Sequence, residues 1–508
     1  MVMLGLILSL VIYKALLAVS LWAAFKDGGR NPYWLFVPFY AEWLWIKITG
    51  RRWYLYYPFL LLPFLNCFVF WVLCIETAYG YKRHRLLDCF LAAAVPFVYF
   101  PYLAYKRHLH FDNPALLPPF AKTPTREWID TLCFALAVAL IVHGFYFKGY
   151  VIPSSSMEKS LQVGDFLFVS KIHYGPRLPI TPVAFPFVLH TMPLTKDKPS
   201  FVSGIQLPYY RFPGFTEVKR NDVIVFNFPD GDTVSTVYQS NVSYYTLVKQ
   251  VGREAVWRDK NRFGRIVYRP VDRRESFVKR CIGLPGDTVE LRDGQTYVNG
   301  QRAEDPAQME QNYRILPQPW LLPRQEWLKL GVSGDDLKQL FNPNYDRVPL
   351  TRQMAAALEA DGRLTAEMDI TPADLIDRQL FPFEPARFAW NIDQYGPVYV
   401  PRKGDSVLLT ADNIALYRRI ITTYEGHTLT EKDGRFYVDG LLCNRYVFGM
   451  NYYWAMGDNR HNSADSRYWG FVPEDHIVGK AFWVWMSWNK DGKGFKKIRW
   501  NRIGRTIR

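Results

Sequence analysis

A chain of 508 residues is long enough for about three domains. Hydrophobic residues make up 49% and aromatic residues 17% of it, yet mean hydropathy is −0.12, so the apolar residues are concentrated, and they concentrate near the N-terminus. The net charge of +15 comes without a recognisable nucleic-acid motif, and many basic residues flank apolar runs, which excludes nucleic acid as a partner and favours a membrane surface.

Residues 2 to 25 are almost wholly apolar and end at Lys26-Asp-Gly-Gly-Arg30, long enough to cross a bilayer. A signal peptide would need a basic start and a small-residue cleavage site, and Met1-Val-Met-Leu-Gly5 has neither. Further apolar runs cover about 54 to 77, 87 to 105 and 128 to 148. The aromatic stretch Tyr33 to Ile46 is too short and interrupted to span, and reads as an interfacial segment or a buried helix. By the positive-inside rule Lys26, Arg30, Lys47, Arg51 and Arg52 lie inside after the first helix, and Lys106, Arg107, Lys122 and Arg126 lie inside before the fourth. Four crossings then place the N-terminus and residues 150 to 508 outside. The loop Tyr81-Lys-Arg-His-Arg85 would also be outside, against the rule, so a re-entrant pair for the second and third runs is the alternative.

Beyond residue 150 the pattern changes to short alternating strands with Gly, Pro and Asp turns, as in Asp222–Phe228 and Thr288–Arg292, which predicts a mainly-β fold. Val151-Ile-Pro-Ser-Ser-Ser-Met-Glu-Lys-Ser-Leu-Gln-Val-Gly-Asp165 opens this part; proline fixes the backbone before Ser154 and Ser156, and Gly164-Asp165 makes the next turn. Lys279–Gly300 and Arg418–Gly440 echo one another and predict one strand-and-hairpin unit used twice. Between them, 301 to 395 reads as a polar, helical insertion, with capping boxes at Ser333-Gly-Asp-Asp336 and Thr371-Pro-Ala-Asp374. Residues 181 to 215 and 231 to 275 read as further insertions. The tail from Lys490 to Arg508 carries eight basic residues against Asp491, and is expected to be a solvated end or to meet anionic headgroups. The predicted domains are a membrane module at 1–127, an anchor helix at 128–150, a mainly-β domain at 151–490 and a basic tail at 491–508.

A serine at neutral pH needs a base. Of nine histidines, only His461, in Gly457-Asp-Asn-Arg-His-Asn-Ser463, sits in a suggestive motif, and an exposed turn histidine is the expectation there. Ser156-Met-Glu-Lys159 has the S-x-x-K spacing of penicillin-binding proteins, which would put both side chains on one helical face, but companion Ser-Asp-Asn and Lys-Thr-Gly elements are missing. Lys279 lies among Phe277, Val278, Cys281 and Ile282, where desolvation would lower its pKa from about 10.4 toward the 7 to 8 of a general base. Its counterpart in the second copy of the repeat is Arg418, which cannot deprotonate. A strand lysine snorkelling to water is the bland alternative. No cysteine spacing suggests a metal site, no cofactor motif is present, and a Cys281–Cys443 disulfide stays open.

Pro153-Ser-Ser-Ser-Met157 with Gly164-Asp165, Val278-Lys-Arg280 with Gly283-Leu-Pro-Gly-Asp287, and Gly457-Asp-Asn-Arg-His-Asn-Ser-Ala-Asp-Ser-Arg-Tyr-Trp-Gly-Phe-Val-Pro473 together resemble bacterial type I signal peptidase, a membrane-bound Ser/Lys protease, in the family's order. The N-terminal multi-helix region is similar to the extra membrane module of some members. The resemblance implies Ser156 as nucleophile and Lys279 as general base. Ser154 and the Ser156 N–H would form the oxyanion hole, Ser463 would orient the lysine, and Asp465 with Arg467 would support it; Asp458, Arg460 and Arg280 would be structural. It further implies exported preproteins with small residues before the cut as substrates, the secretion translocon as a partner, and a multi-pass place in the bacterial inner membrane with the catalytic domain outside. Two residues depart from the family: Lys159 replaces a proline, and Ser155 replaces a glycine. A noncatalytic peptide-binding β-domain, the S-x-x-K enzymes and the self-cleaving Ser/Lys repressors are the competing classes. The run Phe482-Trp-Val-Trp-Met-Ser-Trp488 is either interfacial or a core strand.

Overall fold

The computed structural model describes residues 2–60, 62, 64–118, 123–195, 198–341, 347–489, 492 and 494–507. Lys122, Lys490, Asp491, Lys493 and Arg508, counted above as topology signals or tail charges, lie outside the described residues, as does Met1. The chain divides into two compact units, residues 1–143 and 144–508.

The first unit is helical. Its first apolar run forms α1 (Val2–Asp27), which buries Leu17, Leu21, Ala24 and Phe25. Tyr33 to Ile46 folds as a short 3-10 turn and a helix (Tyr40–Ile48) whose Leu44, Trp45 and Ile46 are buried, so its inner half is a core helix. The second run breaks into α2 (Trp53–Leu60) and α3 (Leu65–Gly80). The third breaks at Val95 into α4 (Leu86–Ala94) and α5 (Pro96–Pro101), the latter continued by a π turn to Lys106. The helix axis bends by 111° between its two legs. Proline accounts for the break, because the ring of Pro96 excludes the helical conformation at Val95. The fourth run forms α6 (Pro124–Ile141), capped by Thr123 and extended by a π turn to Tyr146. Among the described residues this 23-residue helix is long and apolar enough to cross a membrane, and the bent pair is a second candidate if its legs count as one span.

The second unit is mainly β. Its half-barrel sheet contains β1 (Phe147–Val151), β2 (Asp165–Ser170), β3 (Val223–Asn227), β4 (Ser276–Gly283), β5 (Tyr452–Met456), β6 (Val472–Pro473) and β7 (Ile477–Ser487). The order is β1-β2-β7-β3-β4-β5-β6, every pair antiparallel. The central β3 is buried along its whole length because both faces pack. Val223 and Val225 join Met157, Leu161 and Val484 on one side; Ile224 and Phe226 join Cys281, Ala455 and Trp469 on the other, as a period of two requires. In β7 the same period leaves Trp483 and Trp485 outward, against Phe166 and Phe168 of β2.

The repeat is half real. Thr288–Arg292 with Gln295–Val298, and Leu429–Lys432 with Arg435–Val438, are both hairpins. Each turns on an Asp-Gly pair with positive φ, Asp293-Gly294 and Asp433-Gly434, the chemistry of a type I′ turn. The strand half is not repeated. Lys279 is in β4, whereas Arg418 lies in a helix (Ile414–Arg419), so the two positions are not equivalent. The side chains there explain the difference: Ile414, Leu416, Tyr417, Ile420 and Ile421 bury a helical stripe rather than alternating.

The 301 to 395 segment is not simply helical. A three-stranded sheet (Glu310–Leu316, Arg347–Thr351, Thr365–Met368) packs with three helices around Trp327 and Leu337. Ser333 caps a helix as expected; Thr371 does not, because its N–H is taken by Asp393. Nor is the tail a solvated end. Arg502 is buried against Asp165 at 2.5 Å, and Ile507 packs on the half-barrel core.

Candidate active site

The serine-rich stretch becomes a loop closed at its base. Ile152 N–H donates to Asp165 O and Gly164 N–H donates to Ile152 O, both at 2.9 Å. Gly164 is obligatory, since its φ is +89° and a Cβ would lie 2.0 Å from Trp488 O. Met157 and Leu161 are buried in the sheet core, which pins the loop on either side and holds Ser156 still. Ser156 O accepts from Asn459 N–H at 3.2 Å, tying the loop to the segment after β5.

Lys279, on β4 opposite Ile224, donates to Ser156 Oγ at 2.5 Å from 123 residues away. It is 4% exposed. Burial lowers its pKa to about 8, with Asp465 and Asp458 pulling the other way and Arg467 adding to the fall. Those carboxylates are already engaged. Asp465 accepts from Arg467 Nε and Nη2 at 2.9 and 2.8 Å and from Gly457 N–H at 3.1 Å. Burial raises the Asp465 carboxyl, and Arg467 with these hydrogen bonds more than reverses it. Asp458 accepts from Arg280 Nε and Nη2 at 2.7 and 2.6 Å and from Ser160 Oγ at 2.5 Å. The amine is therefore left with a hydroxyl as its contact and two compensated ion pairs at a distance. Arg460 donates to Thr296 Oγ1 at 2.8 Å, and burial, then Arg467, lowers its guanidinium to about 10.

Ser154 Oγ is 3.4 Å from Ser156 Oγ. Ser463 Oγ is buried and makes no hydrogen bond among the described residues. It faces Gly457, where a Cβ would lie 2.2 Å from Ser463 Oγ and 2.5 Å from Ser156 O, so Ser463 and Ser156 flank that glycine. Ser154, Ser156 and Lys279 open onto a cavity of about 840 Å³, lined also by Ile152, Met157 and Val278.

Lys159 points elsewhere. No helix forms at Ser156–Lys159; Lys159 has φ +65°, and its ammonium pairs with Glu310 at 3.1 Å. His461 is half-buried rather than exposed: its ring pairs with Asp393 at 3.1 Å and accepts from Asn312 N–H at 3.2 Å, so it is no partner of Ser156. Cys281 and Cys443 are separate free thiols. Sequence reasoning missed Asn462, which donates to Ser155 Oγ at 2.9 Å, and Glu310. Only the departure at Ser155 hinted at the first; nothing local signalled the second.

A β half-barrel presenting a serine hydroxyl bonded to a desolvated amine defines a class, the serine peptidases. The match is closer than the class. The family described as signal peptidase, peptidase S26, matches residues 125–340 and 443–488, more than half of the chain, and the chain belongs to that family. A family of unknown function, DUF5684, matches residues 33–114 in the helical unit. Signal peptidase I of Pseudomonas aeruginosa is 22% identical over 413 residues, 79% of this chain and 86% of that protein. The Haemophilus influenzae protein of the same name is 23% identical over 380 residues, 75% and 74% of the two chains. That of Aquifex aeolicus is 54% identical over 46 residues, 9% of this chain and 18% of its own.

Proposed function

We propose that the chain is a membrane-anchored serine endopeptidase that cleaves signal peptides from exported preproteins with Ser156 as nucleophile and Lys279 as general base. The observation that carries this reading is the 2.5 Å hydrogen bond between a buried lysine and the serine hydroxyl. Neutral Lys279 takes the Ser156 proton as Oγ attacks the scissile carbonyl. Ser154 Oγ and the Ser156 N–H receive the oxyanion, each such donor being worth about 3 to 4 kcal/mol. The lysinium then protonates the leaving amine, and Lys279 activates the water that resolves the acyl-enzyme. Arg467 and Arg280 keep Asp465 and Asp458 from capturing the ammonium, and Ser463 orients the amine once the chain of hydroxyls closes on substrate. Arg460 holds the intervening loop.

Family membership supports preproteins with small residues before the cut, delivered by the translocon, and a site on the outer face of the bacterial inner membrane. The outward Trp483, Trp485 and Trp488 suit the interface. In this reading 1–127 is the membrane module, 128–150 the anchor carried by α6, and 151–490 the catalytic domain, onto which Arg502 and Ile507 of the predicted 491–508 tail fold.

The test is cleavage of a preprotein by purified protein in detergent. Ser156→Ala and Lys279→Ala are expected to be inactive. Cleavage by either at the unaltered rate would leave a noncatalytic peptide-binding domain as the better account, and loss in Lys159→Ala alone would restore the S-x-x-K assignment.

A further inference from the structure

The basic loops of the helical unit gather at one end. Asp27, ending α1, accepts from Phe111 N–H at 2.9 Å, and Asp112 N–H donates to Gly80 O at 3.0 Å. Gly50 abuts Asn113 and Ala115. The loop Lys82–Arg85 shares a cavity of about 640 Å³ with Thr123 and Arg126, at the start of α6. The intervening helices turn back: Arg51, before α2, pairs with Glu76 near the end of α3, and the helix axis bends by 111° between α4 and α5. Two hairpins entering from one face would satisfy the positive-inside rule that four crossings violate at 81–85.

Within that cavity the charges do not cancel. Lys82 is held by Asp112 and Arg126 by Asp130, and Asp88 accepts from Tyr99 Oη at 2.6 Å. Arg83 and Arg85 have no carboxylate of the described residues within ion-pair distance. Beside them Leu86, Leu87 and Phe90 of α4 are 57 to 66% exposed. A cationic cleft bordered by an apolar stripe matches an amphiphile with an anionic head. We propose that this cleft binds the phosphate of an anionic phospholipid, the acyl chains lying along Leu86, Leu87 and Phe90.

The test uses the full chain in phosphatidylcholine vesicles with and without phosphatidylglycerol, reading retained lipid by native mass spectrometry. Preferential retention of phosphatidylglycerol is expected, falling roughly fivefold for Arg83→Gln or Arg85→Gln and about thirtyfold for both, while Arg83→Lys with Arg85→Lys retains it. Equal retention by the double glutamine variant would overturn the site. Displacement of the lipid by inorganic phosphate alone would assign a free anion and overturn the lipid.

A second inference rests on separate geometry and on the Ser156–Lys279 reading. Glu310, which opens the three-stranded sheet of the 301–395 insertion, is fully buried, and its carboxyl group meets Lys159 at 3.1 Å. Its backbone is stitched to the other side of the site: Glu310 N–H donates to Asp458 O at 2.8 Å and Arg460 N–H donates to Glu310 O at 2.9 Å. That segment carries the Asn459 N–H bonded to Ser156 O and the Asp458 bonded to Arg280. We infer that Lys159 and Glu310 are positioning residues that make the insertion part of the catalytic apparatus, the contact between them tying the nucleophile loop to the insertion.

Glu310→Met and Lys159→Met should lower kcat about tenfold to a hundredfold with KM nearly unchanged, because each breaks the contact that ties the nucleophile loop to the insertion. Lys159→Met combined with Glu310→Met should recover most of the loss. Single variants that lower Tm at unchanged kcat, or a double variant no better than either single one, would overturn the coupling. Ser156→Ala in the same assay separates this failure from failure of the catalytic reading, since its full activity would sink the latter.

Discussion

Two lysines, Lys279 buried and Lys159 half-buried, are the candidate partners of one serine, and their surroundings differ in one respect. Lys159 meets a carboxyl group directly, at a hinge between loop and insertion, where burial pushes the Glu310 carboxyl up to about 8. Lys279 has two carboxylates nearby, but each is held by its own arginine, and its contact is a hydroxyl. Burial alone does not make a base; burial with the neighbouring acids already neutralised does.

The largest expected effect tests that contrast. Lys279→Arg keeps the charge and much of the length but cannot deprotonate, so cleavage should fall by about 10⁴-fold or more, measured on a preprotein, as for other members of a reacting pair. Removing a guard should act on stability. Asp465→Asn leaves Arg467 buried without its carboxylate, and denaturant unfolding should report a loss of about 3 to 5 kcal/mol. Gly457→Ala forces Ser463 and the Ser156 carbonyl apart, and a shift near 1 Å should reduce kcat about a hundredfold with the fold retained by circular dichroism.

The pH profile sharpens the comparison. Cleavage should rise with pH through about 8 as Lys279 loses its proton. The folded pKa lies below the unfolded value of about 10.4, so the unfolded chain binds more protons between these values. The destabilisation from this group is therefore present in full below about pH 8 and is relieved as pH rises through the window, which unfolding at two pH values can read. In Lys279→Met that contribution should vanish. The smallest effect is expected at the free thiols: Cys443→Ser, or added reductant, should leave Tm unchanged.

Much of the site was legible because local patterns carry it. The β-alternation of Asp222–Phe228 and Thr288–Arg292 predicted strands that form, and the repeat predicted both hairpins. The apolar neighbours of Lys279 predicted its burial. The repeat misled at Arg418, where Ile and Leu residues fit a helix period as well as a strand period, and only the core they face decides between them. Thr371 had the spacing of a cap, but Asp393, 22 residues on, offers its backbone a better acceptor.

The sequence by itself determined a serine-bearing loop beside apolar anchors, a buried lysine on a strand, and basic residues bordering apolar runs. These follow from periodicity, turn chemistry and desolvation, which act within a few residues. Tertiary structure decided which lysine reaches Ser156, that Glu310 closes on Lys159, that His461 is spoken for, and that the tail folds back onto Asp165. Each depends on register between segments far apart in the chain, and a charge finds its partner only where the packing of both segments leaves it no water.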